Sequence, residues 1–114
     1  MADLQPVLGE FEVLLILAIL HLTEAGDDPY GSSIRAEIEA RSGRPAARGS
    51  IYVTLDRLED KGLLSSRAGA SSSERGDRPK RIFKVTAAGL NAARASVAAV
   101  TRMQRGLESV LGEC

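Results

Sequence analysis

The 114 residues contain one cysteine, one histidine and no tryptophan. The cysteine, Cys114, stands at the extreme C-terminus. This excludes an internal disulfide framework and any zinc site built on several cysteines. His21 alone cannot make a histidine-rich metal centre or a catalytic triad. No glycine-rich phosphate loop, paired-carboxylate site or nucleophile motif is present. An enzyme and a cofactor are therefore not expected. Long hydrophobic runs are also missing. The longest, Val13 to Leu20, has eight residues, whereas about twenty are needed to span a membrane. No basic residue precedes it, so a signal peptide fits poorly. A cytoplasmic protein without a membrane partner is expected.

A net charge is absent as well, with 15 basic residues against 15 acidic ones. The hydrophobic fraction of 44% and the charged fraction of 26% suit one modest globular core. The zero total hides an asymmetry. Residues 1–46 carry three basic and eight acidic residues, residues 47–85 nine and five, and residues 86–114 three and two. The middle third is a basic island on a neutral chain. It is either a solvated charged surface or the local footprint of a polyanion.

Hydrophobic spacing predicts a first helix from Leu8 to about Glu24, apolar on nearly every side. Such a helix is buried on several faces, and a chain this short leaves some of that surface for a second subunit. Asp28 as N-cap and Pro29 in the first helical position predict a second helix. Its inward stripe is Tyr30, Ile34 and Ile38, and Gly43 stops it. A third helix runs from Arg48 to about Lys61 with Ile51, Leu55 and Leu58 inward. Leu63 to about Arg67 and Arg81 to Val85 read as the strands of a hairpin with a polar, basic tip. Packing on the helices through Ile82 or Phe83 would support that hairpin. Thr86 caps a last helix that runs to about Leu111. Leu90, Ala93, Val97, Val100, Leu107 and Leu111 follow a heptad, with Gln104 as the polar entry. That spacing favours another helix along its length, although an amphipathic helix lying on its own domain also fits. With the surplus on the first helix, it makes Phe11, Leu15, Leu90, Val97, Val100, Leu107 and Leu111 the candidate homodimer interface. The fold class expected is mainly α with a two-stranded β-hairpin. Residues 1–85 are expected to form a helix-turn-helix domain with its hairpin, which the family resemblance given below makes a winged helix-turn-helix, and residues 86–114 a C-terminal dimerisation helix.

Four motifs occur in a fixed order: Tyr30-Gly31 opening the second helix, Gly49-Ser50-Ile51-Tyr52 opening the third, Leu58-Glu59-Asp60-Lys61-Gly62-Leu63 closing it, and a basic strand followed by Thr86-Ala87-Ala88-Gly89. Together, over roughly residues 8–95, they resemble the PadR-like winged helix-turn-helix transcription regulators. The resemblance implies a homodimeric, sequence-specific regulator of double-stranded DNA, usually a repressor. Its third helix would enter the major groove, and its wing would lie on the backbone or minor groove. The last helix would pack on the first helix of the partner. The chain departs from the family pattern at Ala47-Arg48, where a Ser-Pro pair is common, and at Val53, where proline is frequent.

The candidate DNA-binding residues are Tyr30, Arg48, Ser50, Tyr52, Thr54 and Arg57 on the helices, with Arg75, Arg78, Lys80 and Arg81 on the wing. Ser50 and Tyr52 match the family's DNA-facing positions, although Tyr52 also suits packing against the wing. Arg48 can reach a phosphate or a guanine edge, or be simply exposed. Arg57 can pair with Asp56 or Asp60 instead. Tyr30 suits either the DNA backbone, beside a helix N-terminus that favours phosphate, or the core. His21 reads as a partly buried structural or interface residue. With four aromatic residues, Phe11, Tyr30, Tyr52 and Phe83, no flat aromatic effector is expected to stack at the dimer seam, and any small-molecule effector is unknown. The alternative function is a winged-helix protein–protein interaction module without DNA binding.

Overall fold

The computed structural model describes residues 7–69 and 80–112. Its elements follow in the order α1 (Glu10–Glu24), α2 (Gly31–Ser42), α3 (Arg48–Asp60), β1 (Leu64–Ala68), β2 (Arg81–Val85), α4 (Ala87–Gln104) and α5 (Glu108–Leu111). The mainly helical architecture with one antiparallel hairpin is that of a winged helix-turn-helix.

α1 is the central element and packs against α2, α3, β2 and α4. Its apolar circumference is explained by that position. Leu15, Ile16, Ala18, Ile19 and Leu22 are all buried within the one chain. Ile34 and Ile38 from α2, Ile51, Leu55 and Leu58 from α3, Leu63 and Leu64 at the start of the hairpin, Phe83 from β2, and Ala92 and Ala93 from α4 join them in the core. Each fully buried Leu or Ile contributes about 1.5–3 kcal/mol, so this cluster is the main source of stability.

α2 starts two residues later than its proline implies. Tyr30, not Asp28, is the N-cap. The Tyr30 N–H donates to Ser33 Oγ at 3.0 Å, and Ser33 Oγ donates to the Asp28 carbonyl at 2.8 Å. The serine hydroxyl, rather than an aspartate, secures the helix start. At the other end Gly43 adopts φ +72°, the left-handed conformation that closes a helix.

The wing pairs Leu64 with Val85 and Ala68 with Arg81. Ile82 and Phe83 are both buried; Phe83 joins the helical core. The Phe83 N–H donates to the Pro29 carbonyl at 2.8 Å. Proline has no N–H to return the bond, so the α1–α2 connection adds a single rung to the sheet and no third strand. At the end of β2, Thr86 ties three segments together. Its hydroxyl accepts from Gly89 N at 3.0 Å and donates to the Gly62 carbonyl at 2.8 Å, while its own N–H reaches the Leu63 carbonyl at 3.1 Å.

The last helix is not continuous to Leu111. α4 ends at Gln104 and Gly106 takes φ +88°, a conformation that interrupts the heptad before Leu107. Leu107 and Leu111 therefore belong to a separate short turn of helix. Leu15, expected at a subunit interface, is fully buried in its own protomer's core, and Phe11 is half-buried against that core. His21 is exposed rather than partly buried.

Candidate nucleic-acid interface

The turn between α2 and α3 is held by side chains. Arg35 Nε donates to the Ala46 carbonyl at 2.7 Å, and the Ala46 N–H donates to Glu39 Oε2 at 3.0 Å. Arg35 and Glu39, one helical turn apart, thus hold both backbone groups of one buried residue. This fixes the approach of α3 to α2. The same contacts commit Arg35 to the scaffold.

With its stripe of Ile51, Leu55 and Leu58 packed inward, α3 turns Arg48, Gly49, Ser50, Tyr52, Val53, Asp56 and Arg57 to solvent. Among the described residues neither Arg48 nor Arg57 forms an ion pair. Thr54 differs from expectation. It is 5% exposed, because it lies three residues after Ile51 and so shares its inward side. A base contact by the Thr54 hydroxyl does not fit this arrangement.

The Tyr52 ring lies over the start of α2. A Cβ at Gly31 would stand 2.3 Å from Tyr52 Oη, so glycine there is what admits the ring. Tyr52 packs against α2 and remains 44% exposed. It lines an open pocket of about 250 Å³ with Gly31, Ser32, Arg35 and Arg48. Gly31 and Ser32 are the first residues of α2, so the N-terminus of that helix borders the same pocket. Tyr30 is half-buried beneath the wing, and Lys80 Nζ sits 4.1 Å from its ring centroid. The ring is a platform for a wing cation.

Arg81 is engaged within the protein. Its Nη1 donates to Asp56 Oδ1 at 3.0 Å, and its Nη2 pairs with Glu59 Oε1. The guanidinium also lies 4.8 Å from the Phe83 ring centroid. The Asp56 hydrogen bond is the largest influence on Arg81 and, with Glu59, raises its pKa against the opposing effect of burial. Arg75 and Arg78 lie outside the described residues.

The candidate subunit interface takes a different shape from the expected heptad. Leu90, Val97 and Val100 are exposed along α4, and Leu107 and Leu111 are exposed beyond the break. Between the start of α1 and the C-terminal half of α4 runs an open, largely apolar groove of about 700 Å³. Leu8, Val13, Leu14, Val97 and Val100 line it.

A buried carboxylate that the sequence did not single out joins the two ends of the helical core. Glu12 is 7% exposed. It accepts from the Gly9 N–H at 2.9 Å and from Lys61 Nζ at 3.1 Å. Burial alone would raise its pKa. The Gly9 hydrogen bond, the Lys61 ammonium and the more distant Arg57 charge outweigh burial and leave it lowered. A carboxyl lowered on folding stabilises the protein above its unfolded pKa, and that stability is lost as pH falls through the folded value. Glu12→Gln is therefore expected to flatten the loss of stability as pH drops from about 5 to 3. Chemical denaturation at several pH values would show it; parallel curves for the two proteins would exclude this role.

Three further features of this surface are not legible in the sequence. Val53 is 57% exposed on the outer side of α3. It is an apolar residue among polar ones, and its only signal is the departure from proline. Asp56 and Glu59 are legible as helix acids, but their partner is 22 to 25 residues away. Gly31 is visible within its motif, whereas its contact with Tyr52 across two helices is not.

The family model described as Transcriptional regulator PadR-like family matches residues 18–95. No curated protein matches the chain. Among solved structures, a PadR family transcription regulator from Clostridium difficile R20291 shares 20% identity at a TM-score of 0.71, covering 91% of this chain and 100% of that one. A PadR family transcriptional regulator from Eggerthella lenta DSM 2243 shares 26% identity at a TM-score of 0.62, covering 86% and 83%. A PadR-like transcriptional regulator from Bacillus cereus strain ATCC 14579 shares 20% at a TM-score of 0.65, covering 89% and 94%. The helix-turn-helix, the wing and the Thr86 junction all fall within the matched segment, and the chain belongs to the PadR-like family of transcriptional regulators.

Proposed function

We propose that this protein is a sequence-specific DNA-binding repressor that acts as a homodimer. The observation that carries the reading is the presentation of α3. Its inward stripe is packed and its turn is clamped, yet Arg48, Ser50, Tyr52, Val53 and Arg57 face solvent together. A helix held rigidly with such an outer surface suits the major groove. Arg48 at its start can form the paired hydrogen bonds that distinguish guanine, Val53 can meet a thymine methyl, and Ser50 can fix register on phosphate. The wing supplies charge. Lys80, held over Tyr30 by a cation–π contact worth about 0.5–1 kcal/mol at an exposed site, can exchange the ring for a phosphate. Two subunits joined through α4 and the start of α1 would place two α3 helices on successive half-sites, and occupancy of such a site represses by blocking the promoter.

A salt titration tests the assignment, using a duplex selected by the protein from random sequence and an unrelated duplex of equal length. Lys80→Ala is expected to weaken both, and to lower the salt slope by about 0.9 for each phosphate that is no longer neutralised. Arg48→Ala is expected to narrow the gap between the two duplexes by about 1–3 kcal/mol. Equal affinity of the wild type for every duplex would remove sequence-specific regulation, and no affinity at all would leave a protein-interaction module.

A further inference from the structure

We propose that Arg81 serves DNA binding as a positioning residue: it neutralises two carboxylates that α3 would otherwise hold towards the DNA, and it ties the wing to that helix. The inference rests on the DNA-binding reading above. Arg81 opens β2, and both of its paired carboxylates, Asp56 and Glu59, belong to α3. Glu59 is held from the other strand as well, since its Oε2 accepts from Ser66 Oγ at 2.8 Å. Ser66 stands opposite Phe83 in the hairpin. The Phe83 ring, buried in the core, backs the guanidinium. One cation is thus fixed by two acids and a ring, and the network spans α3, β1 and β2.

Stability does not explain such a network. Ion pairs this exposed contribute little to folding. Their position matters more. Asp56 follows Val53 by three residues and Gly49 by seven, so it stands on the outer side of α3, the side assigned to the groove. Its side chain is 62% exposed. An unneutralised carboxylate there would face phosphates within the range over which salt leaves charges unscreened. The planar guanidinium reaches both acids with separate nitrogens, which an ammonium cannot do in the same geometry. Arg81 therefore removes repulsion rather than adding a phosphate contact, and it fixes where Lys80, its chain neighbour, enters the interface.

The test compares wild type, Arg81→Gln and the triple variant Asp56→Asn, Glu59→Gln, Arg81→Gln on the duplex selected by the wild type, across a salt series. Arg81→Gln is expected to weaken binding on the order of tenfold, the scale of a charge repulsion at close range. The triple variant removes all three charges but keeps amides that can still hydrogen-bond between the wing and α3, so it is expected to recover affinity to within about threefold of wild type, with an unchanged salt slope, because counterion release depends only on the phosphates neutralised. A triple variant as weak as Arg81→Gln, with a slope reduced by about 0.9 for each phosphate left without its cation, would place Arg81 on a phosphate and overturn the proposal. The triple variant decides the matter even if Arg81→Gln fails to fold, since it retains no unpaired acid. A wild type that selects no duplex would overturn the DNA-binding reading and this assignment with it, whereas a failing triple variant beside a binding wild type overturns this assignment alone.

Discussion

Replacing Gly89 by alanine is expected to destabilise the protein by about 3 kcal/mol or more, at the upper end of overpacking costs. A Cβ at this position would stand 2.1 Å from the Leu63 carbonyl oxygen and 3.0 Å from the Leu63 carbonyl carbon. These are backbone atoms, with no rotamer into which they can retreat. The same carbonyl accepts the Thr86 N–H, so moving it breaks the bond that joins the end of α3 to the start of α4. Moving α4 instead pulls the Gly89 N–H from the Thr86 hydroxyl and lifts Ala92 and Ala93 from the core. For a domain of this size the melting temperature should fall by roughly 12–20 °C. Gly49→Ala is the control. Among the described residues nothing lies within 4 Å of its added methyl, and alanine gains up to about 1 kcal/mol over glycine inside a helix. Thermal unfolding of the two variants checks the pair; a Gly89→Ala protein that melts with the wild type would show that the α4 junction yields at little cost.

The second large effect is expected at the subunit interface. Val97→Asp with Val100→Asp puts four carboxylates into the seam, two from each subunit, and should raise the dimer dissociation constant by roughly six orders of magnitude, since each unpaired carboxylate buried there costs about 2 kcal/mol or more. Both residues line the apolar groove beside the start of α1, and both are exposed in the single chain. The protomer's own fold should therefore survive, with its melting temperature near that of wild type once the loss of dimer is allowed for. Affinity for a two-half-site duplex should collapse, because only one α3 then engages. Sedimentation at micromolar concentration reads the first effect and DNA titration the second. A double variant that remains dimeric would move the interface elsewhere, and a monomeric wild type at tens of micromolar would remove it.

Most of the fold is legible in periodicity, because helix stripes and strand alternation are local. Ile51, Leu55 and Leu58 announce the inward side of α3, and Arg81 to Val85 announce β2. The departures have distinct physical causes. Thr54 reads as a DNA contact because its side chain is polar, yet its spacing from Ile51 puts it inward, and spacing prevails. Leu15 reads as a partner contact because α1 carries more apolar surface than one neighbour can cover; α1 has several neighbours, and they cover Leu15 and most of that surface, leaving its start, with Val13 and Leu14, on the open groove. The heptad of the last helix continues through Gly106 in the sequence, but a left-handed glycine interrupts the helix that a heptad requires. The ion pairs between elements are illegible for a different reason. With 15 cations and 15 anions, pairing is decided by which elements meet, and neither Arg81 with Glu59 nor Lys61 with Glu12 is a local contact.

The clamp on Ala46 has a consequence for how such a regulator diversifies. Arg35 and Glu39 secure the turn from α2, and they hold only main-chain atoms. The angle of α3 is consequently indifferent to the identity of Gly49, Ser50 or Val53. Those positions can drift while the architecture beneath is untouched, and under the DNA-binding function proposed above the preferred sequence would drift with them. On that reading a lineage would exchange one set of target genes for another by altering a few outward side chains, and the same separation would offer a designer a scaffold on which specificity is rewritten without refolding the protein.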